Sequence, residues 1–467
     1  PDRIGFFTFT KKAVNEGKER AMNKFSISNK ELPYFRTLHS LAFRQLGLTR
    51  ESVVSGSDIK DLNEKLNIKL TGRTTSDDGH LFGMTHDDRL AFIENLARMR
   101  NIPLKQQWHE VEDAVGWFEL ERFARGLQLF KEDRLLVDYT DMLQKFLTEG
   151  DIPKLDVMFV DEAQDLSPLQ WAVVRKLAEK AKRIYVAGDD DQAIYKWAGA
   201  DVDYLIENSK NAMVLKQSYR VPSAVHEVAK QCIGQVRSRV YKEWTPRKEE
   251  GLVRWEPNIE LVNMEKGDWL VLSSANYFLE DAKDLCETQG WYYQYKGMNS
   301  VSLKLLLALN NWEAWRKGEK LNHLEIKNIY QYLGSNVLVG FQKGKTLHSD
   351  AKYTLKECEE QHGLLIDKVW FESFEGLDPI TELYIRNMRA NGERINKNPR
   401  IIMSTIHGAK GGEADKVLLM QDITNAALET MSYDPDELHR LFYTGATRAK
   451  RELHVLDPKN FDRAYIL

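Results

Sequence analysis

Val160-Asp161-Glu162-Ala163-Gln164-Asp165 follows the apolar run Val157-Met158-Phe159. The run reads as a short buried strand. It delivers two adjacent carboxylates to its C-terminal end, the edge at which open α/β sheets take their ligands. One carboxylate there can hold Mg²⁺ on nucleotide phosphates, and its neighbour can orient or deprotonate an attacking water. An acidic strand end alone says little, because strands commonly finish in solvated acids. Three further polar stretches raise its weight. They are Gly188-Asp189-Asp190-Asp191-Gln192-Ala193-Ile194-Tyr195-Lys196-Trp197, Thr405-Ile406-His407-Gly408-Ala409-Lys410-Gly411-Gly412-Glu413 and Tyr443-Thr444-Gly445-Ala446-Thr447-Arg448-Ala449. Each adjoins an apolar strand or helix.

Strand–helix alternation spreads outward from this centre. Strands are expected near 157–160, 184–187 and 212–215, separated by helices, which is the sign of a parallel sheet. Upstream, a strand over 4–9 leads into helices near 11–25 and 38–46. A second alternating set places strands near 269–273, 401–404, 417–421 and 452–456. Two stretches break the alternation. Residues 51–130 are charged, with apolar positions at helical spacing, and 299–399 are mainly helical and rich in Trp, Leu and Lys. The expected architecture is α/β, with two parallel-sheet cores each carrying a mainly helical insertion. The first core takes 1–50 and 131–215, with 51–130 as its insertion. The second takes 216–298 and 400–467, with 299–399 inserted.

Composition bounds the reading. A chain of 467 residues is too long for one ordinary core. At 42% hydrophobic and 29% charged it reads as a folded, soluble protein rather than a disordered one. A formal net charge of −4 gives no global basic footprint, so any nucleic-acid site must be a local groove. Cys232, Cys286 and Cys358 lack metal-type spacing and read as buried or idle thiols in a reducing cytosol. There is no apolar run of about 18 residues and no signal peptide. The chain begins at Pro1 and enters a strand almost at once, as a chain cut within a domain would.

Taken together, the motifs resemble those of the UvrD/Rep/PcrA family of superfamily 1 DNA helicases. The matches are Thr8-Phe9-Thr10-Lys11-Lys12-Ala13, Thr37-Leu38-His39-Ser40, Asp138-Tyr139-Thr140-Asp141-Met142-Leu143 and the Asp161–Asp165 stretch. Downstream come residues 188–200, Gln217-Ser218-Tyr219-Arg220, residues 405–413 and residues 441–449. The resemblance implies two RecA-like P-loop cores, ATP and Mg²⁺ as cofactors, and single-stranded DNA and 3′-tailed duplex DNA as partners. The activity it implies is ATP-driven 3′-to-5′ translocation and unwinding, in the cytoplasm of a bacterium or phage-infected cell. It makes Asp161 the Mg²⁺ ligand, Glu162 the catalytic base and Gln192 a sensor of the γ-phosphate. Arg220 and Arg448 become arginines that reach that phosphate from the second core. A planar guanidinium fork suits charge developing on a transferred phosphoryl group. Tyr219 would stack on adenine, and Glu413 would accept from ribose.

The same resemblance puts Trp197, Tyr195 and Phe9 on the DNA path as base platforms. Flat apolar rings suit unstacked bases, at about 1–3 kcal/mol per base. Thr37, His39, Thr405 and His407 would lie along the strand, the threonines donating to phosphates, which positions DNA without reading its sequence. Bland readings stand beside these: core aromatics, structural histidines, and for Arg448 a surface salt bridge on a helix shared with Arg440 and Lys450. Trp291, Trp312, Trp315 and Trp370 are expected in packing.

One departure is large. No Gly-x-x-x-x-Gly-Lys-Thr phosphate loop occurs in the chain; Gly340-Phe341-Gln342-Lys343-Gly344-Lys345-Thr346 has the tail without the glycine spacing and reads as a loop. The alternative is therefore a DNA-binding fragment without ATPase activity. A helicase–nuclease ranks lower, because the chain ends soon after the last motif. The resemblance sets the strand before the missing loop between the strands at 184–187 and 212–215, which should then not pair with each other.

Overall fold

The computed structural model describes residues 1–72, 85–111, 115–209, 212–334, 337, 347–393 and 397–467. The Gly340–Thr346 tail lies outside them. Two sheets organise the chain. The first contains β1 (Ile4–Thr8), β2 (Phe35–Arg36), β3 (Leu155–Asp161) and β4 (Ala181–Val186), all parallel, in the order β2-β1-β3-β4. The second is built from β5 (Leu252–Glu256), β6 (Trp269–Ser273), β7 (Tyr293–Tyr295) and β8 (Met298–Asn299). A small antiparallel pair, β9 (Leu321–Asn322) and β10 (Lys352–Tyr353), stands apart. β11 (Ile401–Thr405), β12 (Ala414–Met420) and β13 (Ala449–Leu456) return to the second sheet, whose order is β5-β13-β12-β6-β11-β7-β8. Within it only the β7–β8 pair is antiparallel.

The second sheet shows why its strands read so clearly. In β6, Trp269 and Val271 enter one core while Leu270 and Leu272 enter the other. In β12, Leu418 and Met420 face the first of these cores, and Val417 and Leu419 the second. A side-chain period of two with both faces covered makes a continuous apolar run, as expected of a buried parallel sheet. Helices Ser223–Ile233 and Pro435–Ala446 cover one face, and the Trp-rich block packs on the other. Trp291, Trp312, Trp315 and Trp370 are all buried in that block. The three cysteines are buried and free.

The first sheet is covered by helices Leu38–Gln45, Tyr139–Glu149 and Pro168–Ala178. Residues 51–130 contribute the helices Gly56–Leu66, His86–Arg100, Leu104–Glu110 and most of Trp117–Asp133. The Asp138–Asp141 motif ties two of these to the sheet. Asp138 caps its own helix, accepting from the Asp141 backbone N–H at 2.7 Å. Arg98 reaches Asp138 at 2.8 Å and Asp141 at 3.0 Å, and Lys131 lies 2.6 Å from both. These charges, Lys131 buried and the others part-buried, compensate one another, as partial removal from water requires.

Three expectations need correction. Residues 212–215 are not a strand: Met213 and Leu215 are exposed, and the segment joins no ladder among the described residues. An apolar run becomes a strand only where a neighbour pairs its backbone groups. The 184–187 and 212–215 segments are accordingly not paired, and β4 forms an edge with Ile184, Tyr185 and Val186 exposed. Phe159 within β3 is not buried but exposed, with its ring stacked on Tyr185 at 5.2 Å. Arg448 does not share a helix with Arg440. The helix Pro435–Ala446 ends before it, and Lys450 lies in β13. No helix among the described residues is long and apolar enough to cross a membrane.

Candidate functional site

The C-terminal ends of β1 and β3 lie side by side, with Thr8 in register with Asp161. Asp161 and Glu162 leave β3 here. Glu162 adopts φ 54°, a left-handed conformation that costs a non-glycine residue energy and recurs where a side chain must be aimed. The turn it starts is pinned by Ala163 N–H donating to Ala187 O at 3.0 Å and by Asp165 N–H donating to Glu162 O at 3.1 Å. Gln164 accepts from the Asp189 backbone N–H at 3.0 Å, which brings the Asp-rich turn against the Glu162 turn. Gly188 lies at this close approach: a Cβ there would meet Gln164 Oε1 at 3.0 Å and its backbone N at 3.2 Å.

Burial, and then the charge of Glu162, push the Asp161 carboxyl above its usual range, and no basic side chain among the described residues pairs with it. A carboxylate held this way suits a divalent cation, which would supply the missing positive charge. Asp189, Asp190 and Asp191 also bring carboxylate oxygens together. Their charge is already met. Arg239 holds Asp191 through Nε at 2.8 Å and Nη2 at 2.6 Å, and Lys242 lies against all three acids. This turn is an ion-pair knot.

Across the junction stands Arg448, only 2% exposed. A guanidinium so deeply buried ordinarily rests on a carboxylate. Here every partner is neutral. Nε donates to Thr444 O at 2.9 Å, Nη1 to Gly412 O at 3.4 Å, and Nη2 to Gln192 Oε1 at 2.7 Å and to Thr447 Oγ1 at 3.2 Å. Burial, followed by repulsion from Arg220, lowers its pKa to about 10. Gln192 is thus held from both sides, because its Nε2 donates to Asp189 Oδ2 at 2.6 Å. Arg220 Nε donates to Glu413 at 2.6 Å. Burial pushes the Glu413 carboxyl up, but Arg220 and Lys450 outweigh it and the net shift is downward. Tyr219 next door is 87% exposed, its ring free to take a flat ligand.

The aromatics form a connected row at the junction. Phe9 stacks on Tyr195 at 5.7 Å; Tyr195 lies 6.1 Å from Trp197 and 6.0 Å from His407, and Trp197 meets His407 edge-on at 6.1 Å. Tyr195 OH donates to His407 O at 2.9 Å, while His407 Nε2 contacts Ile194 O at 3.1 Å. The row therefore spans both sheets. Thr405 Oγ1 accepts from Gly408 N–H at 3.1 Å, and Thr37 Oγ1 accepts from Ser40 N–H at 3.2 Å. Each hydroxyl still has its proton to donate. His39 packs edge-on against Tyr139 at 5.9 Å, and burial lowers its pKa to about 4.

Sequence reasoning missed Lys410 and Asp165 as a pair. Lys410 Nζ lies 2.6 Å and 2.7 Å from the two Asp165 oxygens and 2.7 Å from Gln192 O, 5.1 Å from the Tyr195 ring centre. Both residues stand within the quoted motifs, but 245 positions separate them and no spacing signals the contact.

Comparison with known proteins fits this geometry. The profile of the UvrD/REP helicase N-terminal domain matches residues 1–213, and that of the UvrD-like helicase C-terminal domain matches 366–458. A probable DNA helicase II homolog of Mycoplasma capricolum is 24% identical over 401 residues, covering 79% of this chain and 50% of its own length. One from Rickettsia conorii is 27% identical over 286 residues, with 53% and 40% covered. The ATP-dependent DNA helicase PcrA of Staphylococcus aureus is 26% identical over 279 residues, with 55% and 36% covered. The chain spans half or less of the length of these curated relatives.

Proposed function

Since the chain belongs to the UvrD/Rep/PcrA family of superfamily 1 DNA helicases, we propose that it is the motor portion of an ATP-dependent 3′-to-5′ DNA helicase and single-strand translocase. The observation that carries this reading is Arg448: a buried cation with no carboxylate among its hydrogen-bond partners, joined through Gln192 to the first sheet beside Asp161 and Glu162. Such a group is placed for an anion that is itself a ligand.

In this reading Asp161 holds Mg²⁺, which would neutralise charge on the phosphates. Glu162 orients and deprotonates the attacking water. Arg448 and Arg220 stabilise the transferred phosphoryl group, Tyr219 stacks on the base and Glu413 accepts from ribose. Because the arginines and the two carboxylates come from opposite sheets, hydrolysis depends on how the halves close. Gln192 reports the phosphate to the turn that carries Tyr195 and Trp197. Bases stack on Phe9, Tyr195 and Trp197, and Thr37, His39, Thr405 and His407 guide the backbone. The reading keeps the domain division expected from sequence, with each helical block inserted into one core, as part of the proposal.

The 467 residues contain no phosphate loop, so on their own they are expected to bind single-stranded DNA without turning over ATP. The missing backbone N–H cradle and lysine are what hold the phosphates in line. Strand displacement by a form that carries the loop tests the whole reading. It should unwind 3′-tailed duplexes with ATP and Mg²⁺ and leave 5′-tailed ones intact. The opposite preference would overturn the polarity, and failure of this chain to bind oligo(dT) would overturn the DNA path.

A further inference from the structure

Lys18, Arg36 and Arg44 gather at the outer edge of the first sheet without an acidic partner. β2 is the outermost strand there, and Arg36 ends it just before Thr37 caps the helix Leu38–Gln45. Arg36 Nε donates to Pro33 O at 2.5 Å and Nη1 to Ser40 Oγ at 3.1 Å. Its Nη2 has no protein acceptor among the described residues. Arg44 follows Ser40 by one turn, on the same face of the helix. Lys18 comes from the neighbouring helix Lys11–Phe25. Gly17 beside it lets that helix sit close: a Cβ there would meet the Phe6 ring at 2.8 Å, and Phe6 packs at 5.3 Å on Phe35, the residue before Arg36. Burial, then repulsion from Arg36 and Arg44, lowers the Lys18 pKa; burial, then Arg44, lowers that of Arg36. No carboxylate pairs with any of the three among the described residues. Arg20, on the same helix as Lys18, is by contrast paired with Glu16. Like charges gathered without an acid repel one another, and an anion between them removes that cost.

We propose that Lys18, Arg36 and Arg44 form a phosphodiester-binding site on the outer edge of the first sheet, which takes the backbone of single-stranded DNA beyond Thr37 and His39. Two guanidinium groups and an ammonium group hold phosphates rather than base edges, so the site is indifferent to sequence. Position decides where the phosphates come from. Arg36 directly precedes Thr37, and its Nη1 holds Ser40 on the far side of His39. A strand that passes Thr37 and His39 therefore meets Arg36 next, with Arg44 further along the helix and Lys18 across from both. The positive end of the helix Leu38–Gln45 adds to the same field. The inference rests on the proposed DNA path and lengthens it by up to about three phosphates, one for each cation. It gives the strand a hold that does not depend on any base being seated on the aromatic row.

Fluorescence titrations of this chain with oligo(dT) of two lengths, over a range of salt, test the site. The short oligomer is the shortest whose binding Trp197→Ala still weakens; the long one extends well past it. The triple variant Lys18→Gln, Arg36→Gln, Arg44→Gln should bind the long oligomer roughly tenfold or more weakly at low salt. Its salt slope on that oligomer should be shallower by about 2, at about 0.7 for each phosphate on a single strand. Binding of the short oligomer should stay within about threefold of wild type, as for a change away from the bound ligand. Lys327→Gln, Lys352→Gln, Lys356→Gln removes the same charge from exposed positions on the block packed against the second sheet, and should leave both lengths unaffected. An equal loss on both lengths, an unchanged salt slope, or the same loss in the control variant overturns the proposal. So does a loss that tracks a fall in the unfolding midpoint, since the cations would then serve the fold. Inorganic phosphate that binds the wild type and not the triple variant, with no dependence on oligomer length, would make this a free-anion site and overturn the strand. Failure of the wild type to bind oligo(dT) at either length overturns the DNA path as well, whereas a length-independent triple variant defeats this site alone.

Discussion

Tryptophans in two regions of this molecule are treated in opposite ways. In the block packed on the second sheet, Trp312 and Trp315 are fully buried, and each indole N–H has a backbone acceptor: Lys368 O at 2.9 Å for Trp312, Tyr353 O at 2.9 Å for Trp315. At the junction of the sheets, Trp197 is only part-buried, its indole nitrogen has no acceptor among the described residues, and its ring neighbours are Tyr195 and His407. A satisfied, enclosed indole is part of the scaffold. An indole only part-buried on an aromatic row can offer its ring to a stacked base. The contrast extends to charge. The block is held by apolar area, whereas the junction is held by directional contacts such as Lys410–Asp165, Arg239–Asp191 and Arg448–Gln192. Area resists movement in any direction; a few directional contacts allow two arrangements.

The contrast can be broken or sharpened by experiment. The largest effect should come from Arg448→Ala in a form that carries the phosphate loop. DNA-stimulated ATP turnover should fall by roughly 10³–10⁵, with oligo(dT) affinity largely kept. A loss of less than about tenfold would return Arg448 to a structural role. Next is Trp312→Ala. Removing this enclosed ring should destabilise the fold by about 3–5 kcal/mol, read by denaturant unfolding, while the protein that remains folded binds oligo(dT) normally. A selective loss of DNA binding would erase the distinction between the two regions.

A pH titration separates the regions differently. His39 is held neutral, its pKa lowered from 6.5 to about 4 by burial. The unfolded chain therefore binds more protons between those values, and stability should fall as pH drops from about 6.5 towards 4, by up to about 3 kcal/mol. His39→Gln should flatten this slope. An unchanged slope would mean that other groups set the acid limit.

The legible parts of the sequence follow from the same physics. β3, β6 and β12 were readable because both faces, or most of them, are buried, so that nearly every residue is apolar. β5 was missed: it lies at the sheet edge, and its Leu252 and Trp255 are exposed among charged neighbours. Residues 212–215 were misread for the converse reason, apolar side chains without a ladder. The motifs singled out Asp161, Glu162, Gln192 and Trp197, which lie near the junction of the two sheets, because local turns set where each of these points. Lys410–Asp165 and the neutral hydrogen-bond partners of Arg448 are products of how two sheets meet, and no local spacing encodes that.

The central claim is that single-stranded DNA rests on the aromatic row between the sheets. A fluorescence titration of oligo(dT) against the wild type and Trp197→Ala, at one fixed salt concentration because phosphate contacts make affinity salt-dependent, tests it most directly. Trp197→Ala should lose about 1–3 kcal/mol in binding with the unfolding midpoint unchanged. Unchanged affinity, or a loss that tracks a fall in stability, would contradict it and place Trp197 with Trp312 and Trp315 in the scaffold.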